Sequence, residues 1–259
     1  MTSDNSASQL TLFKIPSRLL DGTSEISRVN QMSVRDIINQ GYNKPRFQYK
    51  VMLTSRIKSS GSVLSDLGFE KPGCYLYLLI GTREWFLEHP ETPGKWWDQS
   101  MINSIPAVEC DETFQYTDVM TTMTLATIGM KPVKKIVTDE AGEYINGSTV
   151  EVTAFTSHFS NSGGLIMELL KRDLCMMAEH IRQGGESPLG EQEVYERVER
   201  LSAEVFQEHN LVEYYVEKLG FKPVPDGVLT VRKEDVEKVL EKGVVSATDI
   251  HIVSLFYDL

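Results

Sequence analysis

Apolar and polar positions along the chain change rhythm several times, and each change predicts an element. Phe47, Tyr49, Val51 and Leu53 alternate with Gln48, Lys50 and Thr54, the period-2 pattern of a half-buried strand. Cys74–Ile80 is apolar throughout between two glycines, which predicts a central strand covered on both faces. Residues 105–159 stay β-like: Thr-rich segments, a turn at Asp139–Gly142, then Asn146-Gly147 before an alternating run that contains Val150, Val152 and Ala154. An Asn-Gly pair tolerates positive φ and marks a hairpin, so this stretch reads as an antiparallel meander.

After Gly163-Gly164 the period lengthens. Leu165, Ile166, Leu169, Leu170, Leu174, Met177 and Ile181 fall on one face of a helix over 165–182. Val194, Val198, Leu201 and Val205, spaced 4-3-4 and followed by Val212, Tyr215 and Leu219, predict a second long helix over 191–219. Earlier, Ser33 and Asp36 suggest a short capped helix ended by Gly41. Val228–Val231, Arg232–Lys242 and Ile250–Phe256 read as strand, helix and strand. The expected fold class is therefore α+β, a mostly antiparallel sheet with two long helices in the C-terminal half. Residues 1–9 read as a disordered tip, 10–160 as a β-rich part, and 161–259 as a helix-rich part on the same core.

Charge adds a gradient. The net charge of −11 divides into +5 over residues 1–58 and −8 over each of 59–160 and 161–259. A basic stretch over 14–58 suits a weak anionic surface contact, while the acidic whole disfavours nucleic acid as the main partner. The longest apolar run is too short to span a bilayer, and no secretory leader opens the sequence. Three cysteines without a CxxC pair suit a reducing, cytoplasmic setting.

Motifs for known chemistries are absent: no GxxxxGK[ST], GxGxxG, GxSxG or HExxH occurs, so no metal and no cofactor is expected. Cys74 and Cys175 sit on apolar stripes, and Cys110 lies among carboxylates that disfavour its thiolate. Ser162, Gly163 and Gly164 precede a helix and form a candidate anion site through its first N–H groups. All three tryptophans lie in Gly81–Ser100, with Glu84, His89 and Asp98; these three and His158 are the candidates for a dispersed, hydrolase-like site. Trp85, Trp96 and Trp97, with the seam Val194, Val198, Leu201 and Val205, are the candidates for contact with a partner or a second copy.

One segment resembles known families. Tyr214-Tyr-Val-Glu-Lys-Leu-Gly-Phe-Lys-Pro-Val224 is similar to the YEKLGF stretch of GNAT-type acetyltransferases and of glyoxalase-like domains. The acetyltransferase pattern also has an Arg/Gln-x-x-Gly-x-Gly/Ala loop upstream, for which Arg182-Gln-Gly-Gly-Glu-Ser is the candidate, and a strand between the two. The intervening chain reads as helix, so no residue role is taken from either family. A helix end with Gly220 left-handed and Phe221 folded back explains the segment physically. The leading expectation is a non-enzymatic structural or interaction protein, a self-associating scaffold of viral matrix-like or adaptor type. A soluble enzyme around residues 84–98 and an anion-binding module at 162–164 are the alternatives.

Overall fold

In the computed structural model, the residues described are 9–89, 94–133, 137–138, 144–145, 148–185, 198–240 and 243–259; side chains of 133–148 are not described. The elements in chain order are β1 (Leu10–Pro16), α1 (Glu25–Tyr49), α2 (Val63–Leu67), β2 (Tyr75–Gly81), α3 (Arg83–Glu88), α4 (Gln99–Ser104), β3 (Ala107–Glu109), α5 (Asp118–Thr122) and β4 (Thr124–Val133). There follow β5 (Val137–Thr138), β6 (Tyr144–Ile145), β7 (Ser148–Ser157), α6 (Ser162–Arg182), β8 (Val198–Phe206), α7 (Leu211–Leu219), β9 (Lys222–Val231), α8 (Val236–Val239) and β10 (Ile250–Asp258). Eight strands form one sheet in the order β3-β1-β2-β4-β7-β8-β10-β9.

Most neighbours are antiparallel, but β3 runs parallel to β1, and β7 runs parallel to β8 at the middle of the sheet. The sheet is mixed, which corrects the expected fold class. The parallel step needs a crossover, and α6 supplies it.

Burial explains β2. All seven of its residues are buried, and they alternate between two cores. Tyr75, Tyr77 and Leu79 join the α6 face, while Leu76, Leu78 and Ile80 join Ile37 and Ile38 on the α1 face. A polar anchor fixes α6 above the sheet. Lys14 Nζ on β1 lies 3.1 Å from Asp173, and Tyr77 donates its hydroxyl to the same carboxylate at 2.8 Å.

Two helices depart from expectation. The seam at 198, 201 and 205 is strand β8, because residues four apart share a face in a strand as well as in a helix. Leu201, Ala203 and Val205, buried at every second position, show the strand's period. Val194 lies outside the described residues, as do Asp139–Gly142 and Asn146-Gly147. The second long helix is α1, at the other end of the chain. It is capped by Ser24, whose hydroxyl accepts from Ser27 N–H, and it takes in the expected strand's Phe47 and Tyr49. Ser33 is no cap; its buried hydroxyl donates to the Tyr116 carbonyl. Gly41 does not stop the helix either. A Cβ there would stand 2.5 Å from Thr156 Cβ, so Gly41 lets α1 press onto β7.

Candidate functional site where two parallel strands part

The β7–β8 ladder runs from Ser148–Val198 to Val152–Ala203 and then stops, although both strands continue. Thr153–Ser157 stays paired only with β4, and Glu204–Phe206 only with β10. The strands part as a wedge that opens toward their C-terminal ends. A bulge marks the divergence. Thr127 pairs with Thr156 but Gly129 with Thr153, so Ala154 and Phe155 face a single residue of β4. Ala154 has φ 47, a left-handed conformation uncommon for a residue with a Cβ. Such bulges bend a strand and re-aim its groups, often beside active sites.

The α1 face of the wedge is bridged by one helix. Gly41 lies on Thr156, Lys44 bears electrostatically on His158, and the Tyr49 ring stacks on His209 at 5.8 Å. His158 follows β7 and His209 follows β8, each six residues past the last rung. Five helical steps separate Lys44 from Tyr49, an axial span of about 7.5 Å, against about 4.8 Å between paired strands.

On the other face, β7 leads into α6, and Ser162, Gly163 and Gly164 form its first turn. The first N–H groups of a helix lack intrahelical acceptors and carry its positive dipole end. Asn161, left-handed at φ 59, makes no side-chain cap bond to them. Aromatic groups crowd this turn: a Cβ on Gly163 would stand 2.8 Å from Tyr214 Oη, and one on Gly164 2.9 Å from the Trp97 ring.

The tryptophans turn out to brace this loop. Trp96 Nε1 donates to the Ser160 carbonyl at 2.6 Å, and Trp97 Nε1 to the Asn161 carbonyl at 3.0 Å. Trp85, buried, packs edge-on against Phe159 and stacks with His89 at 4.7 Å. The carboxylate candidates do not converge. Glu84 is exposed on α3, Asp98 caps α4 by accepting from Met101 N–H, and His89 Nδ1 meets the Trp85 carbonyl. His158 belongs to the wedge instead. Burial, and secondarily the charge of Lys44, bring its pKa down to about 4. Val198, Leu201 and Val205 lie in or against the α6-face core.

Cys110 is buried, and burial with Asp111 and Glu109 pushes its thiol up to about 12. Cys74 is buried, but Cys175 is exposed, contrary to its apolar setting in the sequence. Among the described residues no group of three His, Cys, Asp or Glu could hold a metal, and no helix is long and apolar enough to cross a membrane.

The family model for the sporulation protein RMD6 matches residues 1–259. The chain belongs to that family. A Saccharomyces cerevisiae protein named Sporulation protein RMD6 is 27% identical over 262 residues, covering 98% of this chain and 97% of its own. Among solved structures, Arabidopsis thaliana NAA60 in complex with acetyl-CoA gives a TM-score of 0.42 at 10% identity, over 96% of this chain and 99% of that one. An N-acetyltransferase from Staphylococcus aureus gives 0.35 at 11%, over 85% and 90%. FeeM, an N-acyl amino acid synthase from uncultured soil microbes, gives 0.36 at 10%, over 86% and 83%.

These findings overturn the leading expectation. The chain belongs to a family of sporulation proteins, so the non-enzymatic, viral matrix-like scaffold is set aside. At such TM-scores no residue role crosses over. The YEKLGF-like segment spans the end of α7 and the start of β9, with Gly220 at φ 77 and Phe221 N–H bonded to the Tyr215 carbonyl. Val216 stands where that pattern has Tyr. Arg182–Gly185, the candidate upstream loop, sits at the C-terminal end of α6, whose dipole repels anions.

Proposed function

We propose that this chain is an acyltransferase that takes its acyl group from a coenzyme A thioester. The observation that carries this reading is the parting of parallel strands β7 and β8 beyond Val152 and Ala203. Backbone groups along the two inner edges lack ladder partners there, and buried backbone N–H and C=O groups demand partners. The pantetheine arm of coenzyme A is extended, about as thin as a strand, and carries two amides. It can lie between Thr153–Ser157 and Glu204–Phe206 as a short third strand, its amides meeting the inner edges. Its phosphates then reach the first turn of α6, where Gly163 and Gly164 offer backbone N–H groups and a positive dipole end, the Ser162 N–H being held by the Phe159 carbonyl. Tyr214 Oη, beside Gly163, adds a hydroxyl at the same point.

The aromatic brace fits this role. The Trp96 and Trp97 bonds fix the Ser160 and Asn161 carbonyls just before the first turn of α6. Held in one geometry, the thioester presents its carbonyl to a nucleophile from the α1 face, and positioning alone accounts for much of the catalysis of such a transfer. Calorimetric titration with acetyl-CoA tests the reading. We expect saturable 1:1 binding, weakened at least tenfold by Gly163→Ala, whose new methyl group crowds Tyr214 and the first turn. No heat of binding at millimolar acetyl-CoA would overturn it.

A further inference from the structure

We infer that His158 takes the proton from the attacking acceptor, through Nδ1; this rests on the acyltransferase reading. Hydrogen-bond counting fixes its tautomer. Thr127 Oγ1 donates to the Ala154 carbonyl at 2.6 Å, and a carbonyl can only accept. With its single proton spent, Thr127 accepts from Thr156 Oγ1 at 2.8 Å. Thr156, its own proton spent in turn, accepts from His158 Nε2 at 2.9 Å. Nε2 therefore carries hydrogen, and in the neutral ring Nδ1 is a bare lone pair.

That lone pair has no hydrogen-bond partner among the described residues, and burying an acceptor without one is costly. The Nδ1 atom is buried, while the residue as a whole is only part-buried. The relay ends on the carbonyl of Ala154, the left-handed residue of the bulge. The distortion that opens the wedge thus also orients the ring, as a third group orients the base in a triad. The charged group that bears on the ring is Lys44 of α1; with burial it keeps the imidazole neutral at physiological pH, ready to accept.

The acceptor's N–H or O–H attacks the thioester carbonyl as its proton passes to Nδ1. The tetrahedral intermediate collapses, the C–S bond breaks, and the imidazolium returns the proton to the leaving coenzyme A thiolate. An acceptor with a neutral or readily deprotonated nucleophile suits this base.

The test uses the full chain with acetyl-CoA as donor and water as acceptor, followed by thiol release, together with 15N NMR of the histidine rings. His158→Gln places an amide N–H near the Nε2 position, able to donate to Thr156, and removes the lone pair. We expect kcat to fall at least 100-fold while acetyl-CoA affinity stays within threefold and the fold is retained. Thr156→Val, which frees the tautomer, should cost about tenfold and shift the Nδ1 resonance toward its protonated range. In the native chain Nδ1 should resonate as unprotonated nitrogen from pH 8 to about 5. Failure of the native chain to bind acetyl-CoA would sink the transferase reading. Binding with turnover unchanged in His158→Gln, or a protonated Nδ1 in the native chain, would sink the role of His158 alone.

Discussion

The tryptophan segment, residues 83–104, and the end of β7 with its loop, residues 153–164, touch each other yet spend their polar groups differently. In the first, most conspicuous groups are committed within the chain: Asp98 to the α4 cap, His89 to the Trp85 carbonyl, both partly exposed indoles to the loop, while the Trp85 indole N–H is buried among rings with no partner among the described residues. In the second, a strand gives up half its ladder, a residue with a Cβ adopts positive φ, and a histidine nitrogen is left without a partner. A residue rich in chemistry marks a site only where the fold leaves that chemistry unspent. Backbone strain of this kind costs stability and persists where surrounding packing enforces it. For Ala154 that packing is the α1-face core, and for the loop at Phe159–Asn161 it is the tryptophan segment.

The comparison breaks most visibly at Trp85. Its side chain is 2% exposed and touches Phe86, His89, Trp96 and Phe159, so Trp85→Ala should cost about 3–5 kcal/mol and drop Tm by many degrees. A Tm change under 2 °C would mean the segment does not brace the loop.

His158 gives the next effect. Its folded pKa of about 4 lies below the unfolded value of 6.5, so the unfolded chain binds more protons between the two. Stability is full above pH 6.5 and declines as pH falls toward 4, by about 3 kcal/mol from this group. Urea unfolding midpoints across that window should fall in the native chain and flatten in His158→Gln; parallel declines would show that other groups govern acid stability. His209, also lowered by burial, adds in the same direction.

Asp98→Ala should cost about 1 kcal/mol, the value of an N-cap, and leave acetyl-CoA turnover unchanged within twofold. A large loss of turnover would return the carboxylate to the active chemistry.

Much of the scaffold was legible. The all-apolar run at 74–80 announced a strand buried on both faces, and the seven apolar positions of 165–181 announced α6. The wedge was not. Leu201 and Val205, four apart, satisfy helix and strand alike, and that ambiguity hid the one strand whose parallel pairing makes the site. Gly41 reads as a helix stop, but its close approach to Thr156 carries α1 through it and on past Pro45. The bulge at Ala154 leaves no mark in composition, since alanine is unremarked in a strand. Ser162–Gly164 was visible as a helix start, whereas the Thr127–Thr156–His158 relay joins residues that only the β4–β7 register brings together.

The central claim is that the parted strands receive a coenzyme A thioester, and amide hydrogen exchange with and without saturating acetyl-CoA tests it most directly. The account predicts added protection over Thr153–Gly164 and Glu204–Asn210, with α3 and α4 unchanged. Protection confined to residues 83–104, or none at concentrations that saturate binding, would contradict it.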